Sequence, residues 1–157
     1  MIIRLATTGD AEFLAERNRD VQQIHADAWP SFFRESTNQA EVAQWFETTM
    51  RKPENRVFVG EVDGLAFGYI YCEIARRPQN PFNRPRDYVY IHQISVRPAY
   101  RQHGYGKQLM LKVNELAKSE GIEQVLLDTW SFNTTAKKFF GDLGFVVFNE
   151  RMRLEVG

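Results

Sequence analysis

The sequence has few of the residues from which disulfides and metal sites are built. Cys72 is the only cysteine among 157 residues, and there are three histidines. A single cysteine excludes an internal disulfide and a zinc site built on several thiolates. We therefore expect no bound metal, and a reducing compartment, the cytoplasm, is the expected location.

Net charge and long apolar runs are also lacking. Twenty Lys and Arg residues balance twenty Asp and Glu residues, so the long-range attraction typical of nucleic-acid-binding proteins is missing. No stretch approaches the roughly 18 to 20 apolar residues that span a bilayer, and the start MIIRLATTGD has no basic-then-apolar leader. We expect no nucleic-acid partner and no membrane partner, and an anion site, if present, must be local.

The hydrophobic content is sufficient for one core. Hydrophobic residues make up 43% of the chain and aromatic residues 13%. This length and composition fit one domain of ordinary size. We expect a single domain over residues 1–157, without repeats or an interdomain linker.

The spacing of apolar residues predicts alternating strands and helices. Asp10, Asn38 and Asn133 are placed as helix N-caps, and Asp63-Gly64 is typical of a tight hairpin turn. Three prolines make residues 75–87 a predicted surface loop. The predicted order is β-α-α-β-β-β-α-β-α-β, with strands over residues 2–6, 57–62, 65–74, 88–96, 124–130 and 145–154.

The segment from Tyr88 to Trp130 reads as strand, helix, strand. Such a crossover normally makes its two strands parallel, whereas the hairpin at Asp63-Gly64 requires antiparallel strands. We therefore predict an α/β (α+β) fold with a mixed, mostly antiparallel central sheet, one parallel strand pair and about four flanking helices.

A glycine-containing turn precedes the third predicted helix in the stretch RPAYRQHGYGKQLM, residues 97–110. Unpaired N–H groups at a helix N-terminus attract phosphate oxygens. Gly104 and Gly106 permit positive φ and close approach of a ligand. Arg101 and Lys107 add positive charge, so the turn is a candidate site for a phosphate or diphosphate.

Two phosphate-binding motifs fit this turn poorly. A P-loop has Ser or Thr after Gly-Lys, but Gln108 follows Lys107. A dinucleotide-binding fingerprint has a third glycine where Leu109 stands. A glycine turn that holds no ligand remains the alternative from these residues alone.

Two longer runs resemble one family. The run YIHQISVRPAYRQHGYGKQLM from Tyr90 is similar to the central motif of the GNAT superfamily of acyl-CoA-dependent N-acetyltransferases, a strand followed by Arg-x-x-Gly-x-Gly and a helix. The run LLDTWSFNTTAKKFFGDLGF resembles the second motif of that family. Its matching residues are Asn133, Ala136, Phe139, Phe140, Gly144 and Phe145.

The resemblance implies acetyl-CoA as cosubstrate, held where the strands over 88–96 and 124–130 splay apart. Backbone groups of one strand would bond the pantetheine arm, N–H groups of the turn would hold the diphosphate, and Asn133 and Phe140 would lie beside the arm. The coenzyme-binding residues expected from the resemblance are Ile94, Ser95, Val96, Arg101, Gln102, His103, Gly104, Tyr105, Gly106, Lys107, Asn133 and Phe140.

His92 is the candidate general base. An alkylamine with a pKa of roughly 10.4 is almost wholly protonated at neutral pH, so its proton must be removed before it can attack a thioester. Histidine titrates nearest to neutral pH, and alternation places His92 on the strand face of Tyr90 and Ile94. A buried structural histidine is the alternative interpretation.

The general acid stays unassigned, because Phe140 stands where many relatives have a tyrosine. Cys72 lies in a predicted strand away from both motifs and is interpreted as a core residue, which favours direct transfer in a ternary complex over an acyl-enzyme. The expected function is transfer of an acetyl group from acetyl-CoA to a primary amine. A catalytically silent acyl-CoA sensor is the alternative, given the absent tyrosine.

The acceptor amine is not identified by the sequence. In the resembled family the connection between the first two helices helps to form the acceptor pocket, which makes Trp29, Phe32, Phe33 and Arg34 candidates for substrate contact. The same resemblance makes a homodimer possible.

Overall fold

The computed structural model describes residues 1–35 and 38–157, in which five strands form one sheet with the order β1-β2-β3-β4-β5. The first four strands are antiparallel to their neighbours, and β5 is parallel to β4. This confirms the predicted mixed sheet. The elements are β1 (Ile2–Leu5), α1 (Ala11–Ala28), α2 (Gln39–Met50), β2 (Asn55–Val62), β3 (Leu65–Arg77), β4 (Arg86–Val96), α3 (Tyr105–Ser119), β5 (Val125–Leu127) and α4 (Thr134–Asp142).

The helices cover both faces of the sheet and bury two apolar clusters. On one face Leu14 of α1 and Phe46 of α2 pack on Val59 and Tyr69. On the other face α3 and α4 pack on the same strands through a second cluster. Its buried residues are Phe58, Phe67, Ile70, Cys72, Val89, Ile91, Leu109, Met110, Val113, Ala117, Ile122 and Phe140.

Local signals fix several boundaries as the sequence predicts. The side chains of Asn38 and Asn133 accept hydrogen bonds from the backbone N–H groups of Glu41 and Ala136, both at 3.1 Å. Asp63 and Gly64 have φ values of 51° and 76°, as the tight turn between β2 and β3 requires. These caps and this turn need only neighbouring residues, which is why spacing alone identifies them.

Several predicted strand bounds are wrong. The strand β5 spans Val125–Leu127 instead of the predicted 124–130. The strands β3 and β4 extend to Arg77 and from Arg86, so the hairpin loop is shorter than 75–87, because the two strands pair out to Arg77 and Arg86. Residues 145–157 carry no strand. Alternation of apolar residues does not supply a pairing partner, and the neighbouring edge strand β5 is only three residues long.

Asp10 precedes α1 as predicted, but its carboxylate does not cap that helix. Instead it accepts two hydrogen bonds of 2.9 Å from the guanidinium of Arg4 and one of 2.7 Å from the N–H of Thr7. Arg4 also donates to Glu61 of β2 through Nε at 2.9 Å. The Arg4 bonds lower the pKa of the Asp10 carboxyl below its ordinary value, and the group ties β1 and β2 to the start of α1.

The Asp10 contact should give pH-dependent stability. A carboxyl whose folded-state pKa is depressed adds stability above its unfolded pKa of about 3.9, and that stability is lost as pH falls through the folded pKa. We expect Asp10→Asn to lower the free energy of unfolding by about 1 kcal/mol at neutral pH. In urea unfolding the deficit should shrink towards about pH 3.

Asp142→Asn is the matched control for Asp10→Asn. Among residues 1–35 and 38–157, Asp142 pairs only with Lys138, at a well-exposed site, so its replacement should change stability by less than about 0.5 kcal/mol. A deficit in Asp10→Asn that stayed constant over this pH range would contradict the assignment.

Candidate functional site

The parallel strands β4 and β5 pair over three residues of each strand. The pairs are Val89 with Val125, Tyr90 with Leu126, and Ile91 with Leu127. β4 then continues to Val96 with no β5 partner within the described residues. Backbone groups of β4 between His92 and Val96 therefore lie along an opening, called the fork from here on. They include the predicted pantetheine contacts at Ile94, Ser95 and Val96.

A β-bulge lies at the apex of this fork. Tyr71 pairs with Gln93 whereas Cys72 pairs with Ile91, so His92 is the additional residue of β4. A bulge redirects side chains from regular alternation. Tyr90 and His92 share the α1/α2 face, as predicted, but Ile94 packs into the cluster on the opposite face. The expectation that all three share a face is therefore wrong.

The bulge orients the His92 ring between aromatic and acidic neighbours. Its Nε2 lies 3.0 Å from Oε2 of Glu73, and the ring stacks on Tyr71 with a centroid separation of 4.5 Å. A carboxylate only accepts hydrogen bonds, so Nε2 carries the proton and Nδ1 the lone pair. The side chain is 32% exposed and is therefore open to a ligand rather than sealed in the core.

Tyr90 and Asp128 link the two branches of the fork at the same level. The hydroxyl of Tyr90 donates a 2.7 Å hydrogen bond to Oδ2 of Asp128, just beyond β5. Burial, followed by this hydrogen bond and the Asp128 charge, raises the pKa of Tyr90 above that of a free tyrosine. The hydroxyl therefore remains a hydrogen-bond donor at neutral pH.

The turn after β4 presents a row of backbone donors. Gln102 and Gly104 adopt left-handed φ values of 64° and 80°, and α3 begins without a side-chain cap. Within residues 1–35 and 38–157, the N–H groups of residues 102–107 donate no hydrogen bond. Successive unpaired N–H groups at a helix start form an anion-binding concavity.

The basic and histidine side chains of the turn take separate directions. Arg101 donates through Nε to the carbonyl of Val96 at 3.0 Å, which occupies one of the predicted arm contacts and braces the turn against β4. Nδ1 of His103 contacts the carbonyl of Arg101 at 2.7 Å. The ring is thus engaged within the turn, and the contribution of His103 to an anion site is its backbone N–H. Lys107 lines a pocket of about 240 Å³ between α3 and the end of α4.

The second motif packs α4 against this turn. A Cβ on Gly106 would lie 3.2 Å from the ring of Phe139, so a glycine lets α3 and α4 approach closely. Phe140 is 7% exposed within the core, and little of its ring is available at the surface. Asn133 uses its carbonyl oxygen as a cap, while its Nδ2 donates no hydrogen bond within the described part of the chain.

An aromatic cluster lies beside the fork. It joins the end of α1 and the following loop to the segment after β5, and its members are His25, Trp29, Phe32, Phe33, Trp130 and Phe132. The structure thus groups three predicted acceptor residues, Trp29, Phe32 and Phe33. Arg34 instead lies 3.6 Å from Glu41 in an exposed ion pair. Phe32, Phe33 and Arg34 also line a pocket of about 490 Å³.

Sequence reasoning missed Glu73, Asp128, Trp130 and Phe132. Asp128 and Trp130 directly follow β5, a position at the carboxyl end of a parallel strand where ligands commonly bind in α/β sheets, and that position was a usable signal. Glu73 has no comparable signal, because only the register of β3 against β4 brings it to His92. Cys72 is fully buried in the core, as predicted, and burial raises the pKa of its thiol to about 12.

Residues 1–35 and 38–157 contain no group of three His, Cys, Asp or Glu side chains arranged to hold a metal ion. Among the helices of the same residues, none combines the length and apolar character needed to cross a membrane.

The known proteins similar to this chain include two relatives of different length. A curated but uncharacterized N-acetyltransferase of Methanocaldococcus jannaschii is 30% identical over 80% of this chain, and the match spans 55% of that relative's length. The aminoglycoside N(6′)-acetyltransferase type 1 of Salmonella typhimurium is 26% identical over 81% of this chain and 89% of its own length.

Solved structures share the fold over nearly the whole chain. A tetramutant of the BH1408 protein from Bacillus halodurans superposes with a TM-score of 0.91 at 24% identity, covering 99% of this chain and 100% of that one. The aminoglycoside acetyltransferase AAC(6′)-Iy, bound to the bisubstrate analogue CoA-S-monomethyl-acetylneamine, gives a TM-score of 0.71 at 22% identity, covering 99% of this chain and 97% of that one.

The family itself is shown by sequence. The model of the acetyltransferase (GNAT) family matches residues 18–145, a span that includes the bulged strand β4, the turn before α3 and the helix α4. The chain therefore belongs to the GNAT family of acetyltransferases, enzymes that take an acetyl group from acetyl-CoA.

Proposed function

We propose that this chain transfers the acetyl group of acetyl-CoA directly to a primary amine, with His92 as the general base. One observation carries the proposal: the fork between β4 and β5 has open backbone donors at one end and the His92–Glu73 pair at its apex. A phosphate-bearing thioester lying along the fork would therefore bring its acyl end to a side chain able to accept a proton.

The residues present fit coenzyme A. The unpaired N–H groups of residues 102–107 suit a diphosphate, and β4 offers backbone groups to the amides of a pantetheine arm in the manner of an added strand. Nδ2 of Asn133 is a further donor beside the fork. In this proposal Ile94, Ser95 and Val96 bind the arm, although Arg101 must then share or release the Val96 carbonyl.

The chemistry needs one proton acceptor on the protein. Nδ1 of His92 takes the first proton from the ammonium group of the acceptor, and the nitrogen lone pair then forms a bond to the thioester carbonyl carbon. The C–S bond breaks, its electron pair leaves with the sulfur, and the thiolate takes up the second proton that the nitrogen loses as the amide forms. Glu73 holds the imidazole in place through Nε2, so Glu73 is a positioning residue.

No covalent acyl-enzyme is required. Cys72 is buried and its thiol pKa is about 12, so it is unavailable as a nucleophile at neutral pH. Phe140 has no proton to give, and a thiolate with a pKa of about 8.5 is a competent leaving group without an acid. These features support transfer within a ternary complex carried by one domain over residues 1–157.

Two relatives support an amine acceptor. The Salmonella relative is named for aminoglycosides, and the AAC(6′)-Iy structure holds an analogue that links CoA to an acetylneamine. In this chain the aromatic cluster beside the fork, with the acidic Glu73 and Asp128, suits an acceptor that has an apolar part and a positive charge.

The function is tested by incubating the protein with acetyl-CoA and a panel of primary amines while free thiol and acetylated product are measured. We expect at least one amine to accelerate thiol release, with matching product by mass spectrometry. Cys72→Ala should keep most of this activity. Thermal stabilisation by acetyl-CoA without transfer to any amine or cell extract would favour the silent sensor instead.

The diphosphate assignment is tested by Gly104→Glu. Gly104 lies at φ 80° with open space around it, so a glutamate there brings a like charge to the diphosphate as well as backbone strain. We expect at least a tenfold loss of acetyl-CoA affinity by calorimetry, which is about 1.4 kcal/mol.

Gly121→Glu is the control for strain, because Gly121 ends the same helix at φ 68° with equally open surroundings. It should bind acetyl-CoA within about twofold of the parent chain. Equal losses of acetyl-CoA affinity in both variants would contradict the assignment of the diphosphate to this turn. Gly106→Glu is a poorer test, since its Cβ would contact Phe139.

The base assignment is tested by His92→Ala and Glu73→Gln. We expect His92→Ala to lower kcat about 100-fold or more while acetyl-CoA affinity is kept. Glu73→Gln should give a smaller loss and change the low-pH limb of the pH–rate profile, where a general base becomes protonated. Identical pH–rate profiles for the parent chain and His92→Ala would rule out His92 as the base.

A further inference from the structure

The carboxyl-terminal segment of the chain returns to the aromatic cluster. The guanidinium carbon of Arg153 lies 4.3 Å from the centroid of the Trp29 ring, within the range of a cation–π contact. Arg151 is near enough to Tyr90 for its charge to oppose the rise in the pKa of that tyrosine. Two arginines of one segment therefore reach the acceptor side of the fork.

The ring under Arg153 is held rigidly by its neighbours. Trp29 stacks on Phe32 at 4.6 Å and meets Trp130 edge-on at 5.6 Å. The indole is thus fixed by one residue from its own loop and one from the segment after β5. A rigid aromatic face attracts a cation at little conformational cost.

The rest of the carboxyl-terminal segment, residues 146–157, is exposed. Met152 and Leu154, which flank Arg153, are 92% and 86% exposed, and residues 145–157 have no strand or helix. The partner of Arg153 besides Trp29 is Glu155, at 3.3 Å in the same segment. Little buried area therefore opposes the release of Arg153 from the ring.

Acidic groups lie on the same side of the fork. Asp128 accepts from Tyr90 and is exposed, and Glu73 pairs with His92. Arg153 is thus a cation held on the face of Trp29, whose ring contacts Trp130, two residues along the chain from Asp128. A ligand with a positive charge and a separate amine would match both features.

We propose that the face of Trp29 is a subsite for a second cationic group of the acceptor, and that Arg153 occupies this subsite until the acceptor displaces it. The inference rests on the proposed function, because it takes the ligand to be the acceptor amine of that reaction. Binding of a cation at this site is itself independent of catalysis. The expected substrate class is an amine that carries a further positive charge, and the C-terminal segment competes with it.

Binding is tested first with the matched probes n-butylguanidinium and its neutral analogue n-butylurea. Tryptophan fluorescence reports the contact, because Trp29 and Trp130 lie in the cluster. We expect Arg153→Ala to bind n-butylguanidinium about five- to tenfold more tightly than the parent chain does and to prefer it over n-butylurea. Trp29→Leu should lose that preference, and Phe32→Ala, at an exposed position, is a second variant that weakens it.

Arg86→Ala is the control. Arg86 makes a cation–π contact with Tyr88, 5.2 Å from its ring centroid, and Tyr88 is not part of the aromatic cluster. It should bind both probes as the parent chain does. The subsite is contradicted if Arg153→Ala binds the charged and neutral probes equally. It is also contradicted if Arg153→Ala gains no more affinity for n-butylguanidinium than Arg86→Ala does.

Turnover separates this inference from the proposed function. The kcat/KM for 1,5-diaminopentane relative to n-pentylamine should rise severalfold in Arg153→Ala and fall in Trp29→Leu. A charged-probe preference with no acetylation of any amine would support the subsite and contradict the transfer. Acetylation of both amines with unchanged ratios in the two variants would contradict the subsite and support the transfer.

Discussion

The separation of β4 from β5 is the constraint on which the candidate site depends. The pairing stops after Ile91 and Leu127, because β5 ends at Leu127 whereas β4 continues to Val96. Backbone polar groups removed from water must find partners. In this chain the carbonyl of Val96 takes Arg101, and the N–H groups of the following turn stay open to a ligand.

The surrounding structure keeps that opening from closing. The Tyr90–Asp128 hydrogen bond joins the two branches where pairing stops, and the bulge at His92 shifts β4 out of regular alternation. On the α3/α4 side, Gly106 allows Phe139 to pack against the first turn of α3. The same bulge also sets the imidazole of His92 beside Glu73, so the proposed base is placed by an irregularity of β4 next to the opening.

The sequence predicted the parts of the fold that depend on neighbours in the chain. Asn38, Asn133 and Asp63-Gly64 identify two caps and a turn from spacing alone, and the two family motifs indicate the fork and the acyltransferase class, which the family match confirms. It could not predict the bulge, because one additional residue in β4 is visible only against β3. It missed half of the aromatic cluster for the same reason, since Trp29 and Trp130 meet only in the folded chain.

Alternation was misleading at the carboxyl terminus. Apolar residues at Val146, Phe148, Met152 and Leu154 have strand periodicity but are exposed, because periodicity describes a face and not the strand that pairs with it. Instead, arginines of that segment reach the aromatic cluster. The contact of this segment with the cluster is therefore made by a charged residue and not by its apolar ones.

Amide hydrogen exchange with and without coenzyme A tests the central claim most directly. Binding in the fork should slow exchange at Ile94–Val96 and at the open N–H groups of residues 102–107, and should leave β1 and the β2–β3 turn unchanged. Saturating coenzyme that protected other segments, while residues 102–107 exchanged as fast as before, would contradict the account.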